Sequence, residues 1–368
     1  MGHVVNDTFT SALSGLLPIL TAVYGLSYLL AGAIAMVSSV TSSILQPMLG
    51  RWFDRTQAAW LLEIGLALNC IGMSLIGVST SYILLLLLVG TAGLGSAAFH
   101  PPAFSAVIRS SSSSRGSAMG IFLSGGNTGF FLGPIVAGAL ISGYGLQGMM
   151  LLLPIGLAIA ALLFRVRVSG ERAEPRIAKS AKPPRKRVLG ILAGITALRS
   201  IAIQSAVTFL PLYFVTKGDS LLIATAIASI WLGVGVLGQL GGGYISDRVG
   251  RRPVITISLF AGALLFYGFL FTSGYLSVVL LAISGALLFA SWSVIVVMSS
   301  EAAPDNVGAV SGFMLGFSIG IGGLTAVWFG ATADALGLFS AFTIFIGFAL
   351  AAGLLSLALP KHIAQPAT

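Results

Sequence analysis

The groups that could do chemistry are few, and most sit in apolar surroundings. The chain begins MGHVVNDTFTSALSGLLPIL, with His3 and Asp7 four residues apart at the head of a long apolar run. On a helix this spacing puts both on one face, with Thr10 and Ser14. An imidazole titrates near neutral pH, so the pair reads either as an interfacial cap or as a proton-handling or gating pair lining a cavity. His100 lies in GLGSAAFHPPAFSAV. Pro101 and Pro102 withhold two backbone donors and should distort their helix. His100 is therefore either a structural residue or a cavity residue suited to proton exchange.

Arg199 lies in LAGITALRSIAIQSAVTFLPLYF, beside Thr196, Ser200, Gln204 and Thr208 at helical spacing. A charge at membrane depth costs about 2.5–3.5 kcal/mol on insertion scales, so it should face a partner or a cavity. Three readings follow: an ion pair with Asp7, snorkelling to the interface, or a fixed cation that binds an anionic group. Asn127, in SGGNTG, is a further candidate cavity residue, whereas Glu63 and Glu301 are expected at the membrane interface.

The elements that position these residues are apolar helices. Of 368 residues 57% are hydrophobic and 8% charged, against roughly 25% charged in a soluble domain. There is too little charge to cover a water-facing surface of this size. Runs of about 20 apolar residues read as membrane spans. Twelve are expected, near 4–28, 30–50, 58–78, 81–108, 116–142, 146–166, 188–215, 220–244, 253–273, 276–299, 307–333 and 336–359. The first is expected to be a permanent span and not a cleaved signal. Residues 165–187 are polar, basic and Pro-bearing, and read as a flexible linker between six helices and six. The expected domains are 1–166, the linker 167–187, and 188–368.

Net charge +9 does not make a nucleic-acid footprint, because the bases fall in short loops between apolar runs. All of the 19 Lys and Arg residues except Arg199 and Lys217 fall on one side of the predicted topology. By the positive-inside bias both termini and the linker are expected in the cytoplasm, in a multi-pass protein of the cell membrane.

The halves repeat. GRWFDR at 50–55 returns as GYISDR at 243–248, and RGSAMG at 115–120 as VGAVSG at 307–312. Two six-helix halves of like orientation, joined by a cytoplasmic linker, resemble the major facilitator superfamily. The resemblance implies an all-α polytopic membrane protein with two pseudo-symmetric bundles and a substrate site between them near the midplane. GYISDRVGRRP, residues 243–253, is similar to the superfamily's loop signature, which implies a gate latch at Asp247, Arg248, Arg251 and Arg252. The first-half copy keeps Asp54 and Arg55 but lacks the following GRR. Gly129, Gly133, Pro134 and Gly138 resemble an antiporter motif and also offer a smooth face for close helix packing.

HVVNDTFTS, GLGSAAFHPPA and FLSGGNTGFFLGP are similar to the fosmidomycin-resistance branch. His3, Asn6, Asp7, His100, Pro101, Gly125, Gly126 and Asn127 match its motifs. Where that branch usually carries Glu after His-Pro, this chain has Pro102, so proton coupling falls to His100, Asp7 or another group. The branch implies proton-driven efflux of a small phosphonate or related anion.

No Walker loop, metal-ligand cluster or nucleophile–base order suggests an enzyme, a metal or a cofactor. The expected protein is a monomeric, proton-coupled efflux antiporter. Arg199, His100, Asn127 and Gln204 would bind a small anionic substrate, and Asp7, His3 and His100 would handle protons. An importer of a carboxylate or phosphorylated metabolite is the alternative, and a non-transporting receptor or assembly protein the second.

Overall fold

The computed structural model describes residues 1–43, 45–110, 115–165, 185–303 and 307–360. Most of the expected linker lies outside them, as do Lys361 and the side chains of Asp54, Arg109 and Arg115. The described residues are helical and contain no strand.

Helix α1 (Gly2–Tyr24) ends where Gly25 turns left-handed, at φ 59°, and its N–H donates to the Thr21 carbonyl. Glycine makes that stop without Cβ strain. The next apolar stretch, expected as one helix, is two: α2 (Tyr28–Ser43) and α3 (Gln46–Thr56). Pro47 opens α3, and a residue without an N–H suits a helix start better than a helix interior. Then come α4 (Leu61–Leu75), α5 (Tyr82–Ser110), α6 (Arg115–Tyr144), a 3₁₀ stretch Leu146–Leu152 and α7 (Leu153–Arg165). The remainder is α8 (Lys186–Thr216), α9 (Leu221–Val249), α10 (Arg251–Leu270), α11 (Gly274–Ala302) and α12 (Val307–Ser356).

Among the described residues, 10 stretches are long and apolar enough to cross a membrane. The last, Val310–Ser356, has 47 residues, about twice what a bilayer needs. It breaks at Gly337, whose φ of 81° lies outside any right-handed helix. Its two limbs fall on the last two segments expected from the sequence, while α1 is not among the 10 stretches.

The chain divides into two compact units. One comprises Met1–Glu174, Thr208–Ser229 and Ala326–Ala331, and the other Pro175–Val207, Ile230–Thr325 and Thr332–Thr368. In the first unit α1 lies hard against α6. A Cβ added to Gly133 would stand 2.6 Å from both the Ala12 nitrogen and the Thr8 oxygen, and one on Gly129 would stand 2.9 Å from the Thr8 nitrogen. Gly15 returns the contact, with the Pro134 oxygen 2.7 Å from its would-be Cβ. Lipid tails are as apolar as leucine, so helices in a bilayer gain by close van der Waals approach and not by escaping water. The same unit takes in Thr225, against Gly138, and Ser229, whose Oγ accepts from the Ile135 N–H at 3.1 Å. In the second unit α10 meets α11 at Gly262, where a Cβ would come 2.8 Å from Leu288.

Gly133→Val should therefore abolish the monodisperse folded protein in detergent, as read by size-exclusion chromatography. Gly143→Ala, on the exposed part of α6 with open space around it, should stay within about 1 kcal/mol of wild type in thermal unfolding.

Candidate functional site

The first turns of α1 carry His3, Asn6 and Asp7, and the approach to α6 fixes where they point. His3 is 7% exposed, and its ring stacks on Phe122 of α6 with centroids 4.0 Å apart. Its Nδ1 lies 2.7 Å from the Phe122 carbonyl oxygen. A carbonyl only accepts, so Nδ1 carries a hydrogen and Nε2 is left to face Asp7 Oδ2, 3.2 Å away.

His100 repeats this arrangement from α5. Its Nδ1 is 2.7 Å from the Ser96 carbonyl oxygen, and its Nε2 is 3.7 Å from Asp7 Oδ1. The expected distortion at Pro101 and Pro102 does not interrupt α5, which runs through both. The missing donors cost it the bonds to the Ala97 and Ala98 carbonyls. The His3 and His100 rings meet edge to face at 5.4 Å. Two imidazoles thus commit Nδ1 to backbone and aim Nε2 at one carboxylate. A proton placed on either Nε2 or on Asp7 turns a lone-pair contact into a hydrogen bond.

A neutral network holds Asp7 from behind. Asn6 Nδ2 donates to Asp7 Oδ1 at 2.9 Å and to Ser96 Oγ at 3.2 Å. Asn69 of α4 donates to the Asn6 carbonyl and to Asn6 Oδ1, each at 2.9 Å, and to Thr10 Oγ1 at 3.1 Å. Each such bond is worth about 1 kcal/mol net, and a buried amide left without partners costs more. Gly126 of α6 supplies the remaining wall: a Cβ there would come 2.5 Å from His3 Nε2 and 2.8 Å from Asp7 Oδ2.

In the second unit Arg199 is 4% exposed. Its Nε donates to Ser291 Oγ at 2.8 Å and to the Leu288 carbonyl at 3.2 Å. Its guanidinium carbon lies 5.2 Å from the Trp292 ring centre and 5.8 Å from that of Phe289. Among the described residues of its unit, no carboxylate stands within ion-pair distance of it. Neutral dipoles and π faces support this cation without cancelling its charge. Gln204 is on the same helix, its stem packed where Gly322 of α12 has no side chain. Asn127 follows Gly126 on α6 in the first unit and is partly buried.

At the α9–α10 turn, Arg251 bonds Asp247 and reaches Glu301 Oε1 at 2.9 Å, tying the turn to the end of α11. Arg248 bonds the Tyr244 hydroxyl and lies over its ring. Arg252 is partly buried and Arg55 is exposed at the end of α3. Glu301, expected merely at the interface, is thus one leg of an ion-pair triad. Glu63, expected there too, is only 7% exposed, and its Oε2 has no hydrogen-bond partner among the described residues.

The structure brings His3, Asp7 and His100 together. It adds Ser96, Asn69, Phe122 and Gly126, to which residue type and spacing assign no chemical role. Asn69, a lone amide in LALNCIG, and Ser96, in GLGSAAF, were the visible polar signals. Ser96 and Phe122 each act partly through a backbone oxygen and Gly126 through a missing side chain, and these leave no mark in residue type.

A family model described as Major Facilitator Superfamily matches residues 1–327. The fosmidomycin resistance protein of Escherichia coli (strain K12) is 29% identical over 348 residues, covering 91% of this chain and 85% of its own. An uncharacterized MFS-type transporter of Bacillus subtilis (strain 168) is 30% identical, covering 98% and 91%. Among solved structures, a bacterial homologue of the human lysosomal transporter Spinster superposes with a TM-score of 0.85 at 16% identity, over 97% of this chain and 94% of its own. The nucleoside transporter NupG gives 0.72 at 17% identity, over 97% of this chain and 98% of its own. At these identities the superpositions speak for the fold alone.

The tautomers are directly measurable. With ¹⁵N-labelled histidine, both His3 and His100 should show protonated Nδ1, and Asp7→Asn should move the Nε2 signals of both. An Nε2–H tautomer at either ring would contradict the geometry.

Proposed function

The chain belongs to the Major Facilitator Superfamily and is a membrane transporter, not an enzyme, and from that membership we propose that it is a proton-coupled antiporter exporting a small anionic compound, a phosphonate or related metabolite, by alternating access. It would work as a monomer in the cytoplasmic membrane, with both termini on the basic, cytoplasmic side. The observation that carries this reading is the convergence of His3 Nε2 and His100 Nε2 on Asp7. Two imidazoles share one carboxylate, near the start of one helix and within the apolar length of another. This is a place where a proton can be taken up and given back without leaving an isolated charge in the bilayer.

Arg199 supports the anionic substrate. Burying a guanidinium at membrane depth costs about 2.5–3.5 kcal/mol, and two neutral hydrogen bonds with π contacts offset part of that. What remains is net positive charge, with a planar donor set suited to carboxylate, phosphate or phosphonate oxygens. Gln204 and Asn127 would contribute neutral donors, and His100 would donate through Nε2 only when protonated. Arg251, paired with Asp247 and Glu301, would latch the cytoplasmic gate with Arg248, Arg252, Asp54 and Arg55. The fosmidomycin resistance protein among the relatives supports export over uptake and a phosphonate over other anions.

Counterflow in proteoliposomes tests the substrate class, with phosphonates, phosphate esters and carboxylates as solutes. Arg199→Ala should abolish exchange while the protein stays folded, and normal exchange by that variant would remove Arg199 from the site. Under an imposed proton gradient, wild type should expel its substrate as protons enter. Asp7→Asn should still exchange substrate in counterflow but lose gradient-driven movement by at least about 100-fold. Accumulation in the direction of proton entry would make the protein an importer instead.

A further inference from the structure

We propose that His3, Asp7 and His100 also form a binding site for one divalent first-row transition-metal ion of the zinc type. One ligand atom from each, a ring nitrogen of either histidine and a carboxylate oxygen, all lie within 4.8 Å of one another. Ligands of a single four-coordinate zinc ion, at bond lengths of about 2.0–2.1 Å, sit roughly 3.3 Å apart. His3 Nε2 stands 3.2 Å from Asp7 Oδ2 and His100 Nε2 3.7 Å from Asp7 Oδ1, so each ring is already near that spacing from one of the two carboxylate oxygens.

The second observation is independent of spacing. A histidine that binds a metal nearly always donates its other ring N–H to a carbonyl or carboxylate, which fixes the tautomer and aims the free nitrogen. Both rings do so here, through Nδ1 to the Phe122 and Ser96 carbonyl oxygens at 2.7 Å each. The rings are further held by the Phe122 stack and by Phe104, 6.2 Å from His100. Asn6 holds the carboxylate through Oδ1, leaving Oδ2 to face His3. Little reorganisation is left for an ion to impose.

The donor set selects the metal. Two imidazoles with one carboxylate suit zinc, nickel, cobalt or iron, whereas magnesium and calcium prefer oxygen ligands. Three protein ligands leave a fourth position open. His100 and Asp7 are 18% and 19% exposed, which leaves a route in. Gly126 keeps the space beside His3 Nε2 and Asp7 Oδ2 free of side chain. A bound ion would hold α1, α5 and the carboxylate in one rigid arrangement.

The test uses Co²⁺ and Zn²⁺ with tag-free full-length protein in detergent, and it needs no transport. Co²⁺ should produce a visible d–d absorption that saturates at about one ion per chain and is displaced by Zn²⁺. His3→Gln and His100→Gln should each weaken Co²⁺ binding by at least about 100-fold, with thermal unfolding confirming that they fold. Gly126→Ala should weaken it by at least about 10-fold, whereas His362→Ala should leave it unchanged. Wild-type protein that takes up no saturable Co²⁺, or that loses none of it in both histidine variants, would overturn the site. Because the signal comes from the ion, either outcome leaves the transport reading to its own assay.

Discussion

Helix α1 touches α6 backbone to side-chain-free backbone, and the geometry of the first unit descends from that approach. Gly129 and Gly133 remove two side chains from α6 where Val4, Thr8 and Ala12 pass, and Gly15 removes one from α1 where Pro134 passes. With any larger residue the axes would have to separate by the thickness of a methyl group or more. His3 would then lose its bond to the Phe122 carbonyl, because a 2.7 Å hydrogen bond tolerates only a few tenths of an ångström. Small residues here set the distance at which the polar groups of one helix meet the backbone of another.

A bilayer sharpens the consequence. Polar groups inside it must be satisfied by the protein, since there is no water to do so cheaply. The chain meets this demand in two ways. In the first unit His3, Asp7 and His100 face one another and are backed by Asn6, Asn69 and Ser96. In the second, Arg199 is supported by a hydroxyl, a carbonyl and two aromatic faces. The first arrangement sets one carboxylate between two imidazole nitrogens. The second keeps a standing positive charge.

At the α9–α10 turn a third solution appears. Arg251 divides its donors between Asp247 on the same turn and Glu301 at the end of α11. Exposed ion pairs are worth little singly, typically about 0–1 kcal/mol, while a shared network with fixed geometry holds more. It joins residues that are 50 positions apart along the chain.

The residue string by itself determined that the protein is helical and membrane-spanning, roughly where its spans begin and end, and which buried ionisable residues to watch. Apolar run length, the scarcity of charge and the placement of Lys and Arg act locally or additively, so they can be read without coordinates. Tertiary structure alone decided that His3 and His100, far apart along the chain, converge on one carboxylate. It decided too that Asn69 braces Asn6 beside them, that Glu301 joins Arg251, and that Pro47 opens a separate helix within what looked like one span. Those facts depend on how far each helix is rotated about its axis and how closely it approaches its neighbours. Rotation and approach are set by the summed fit of many small contacts, and several of the partners are backbone oxygens that every residue type carries alike.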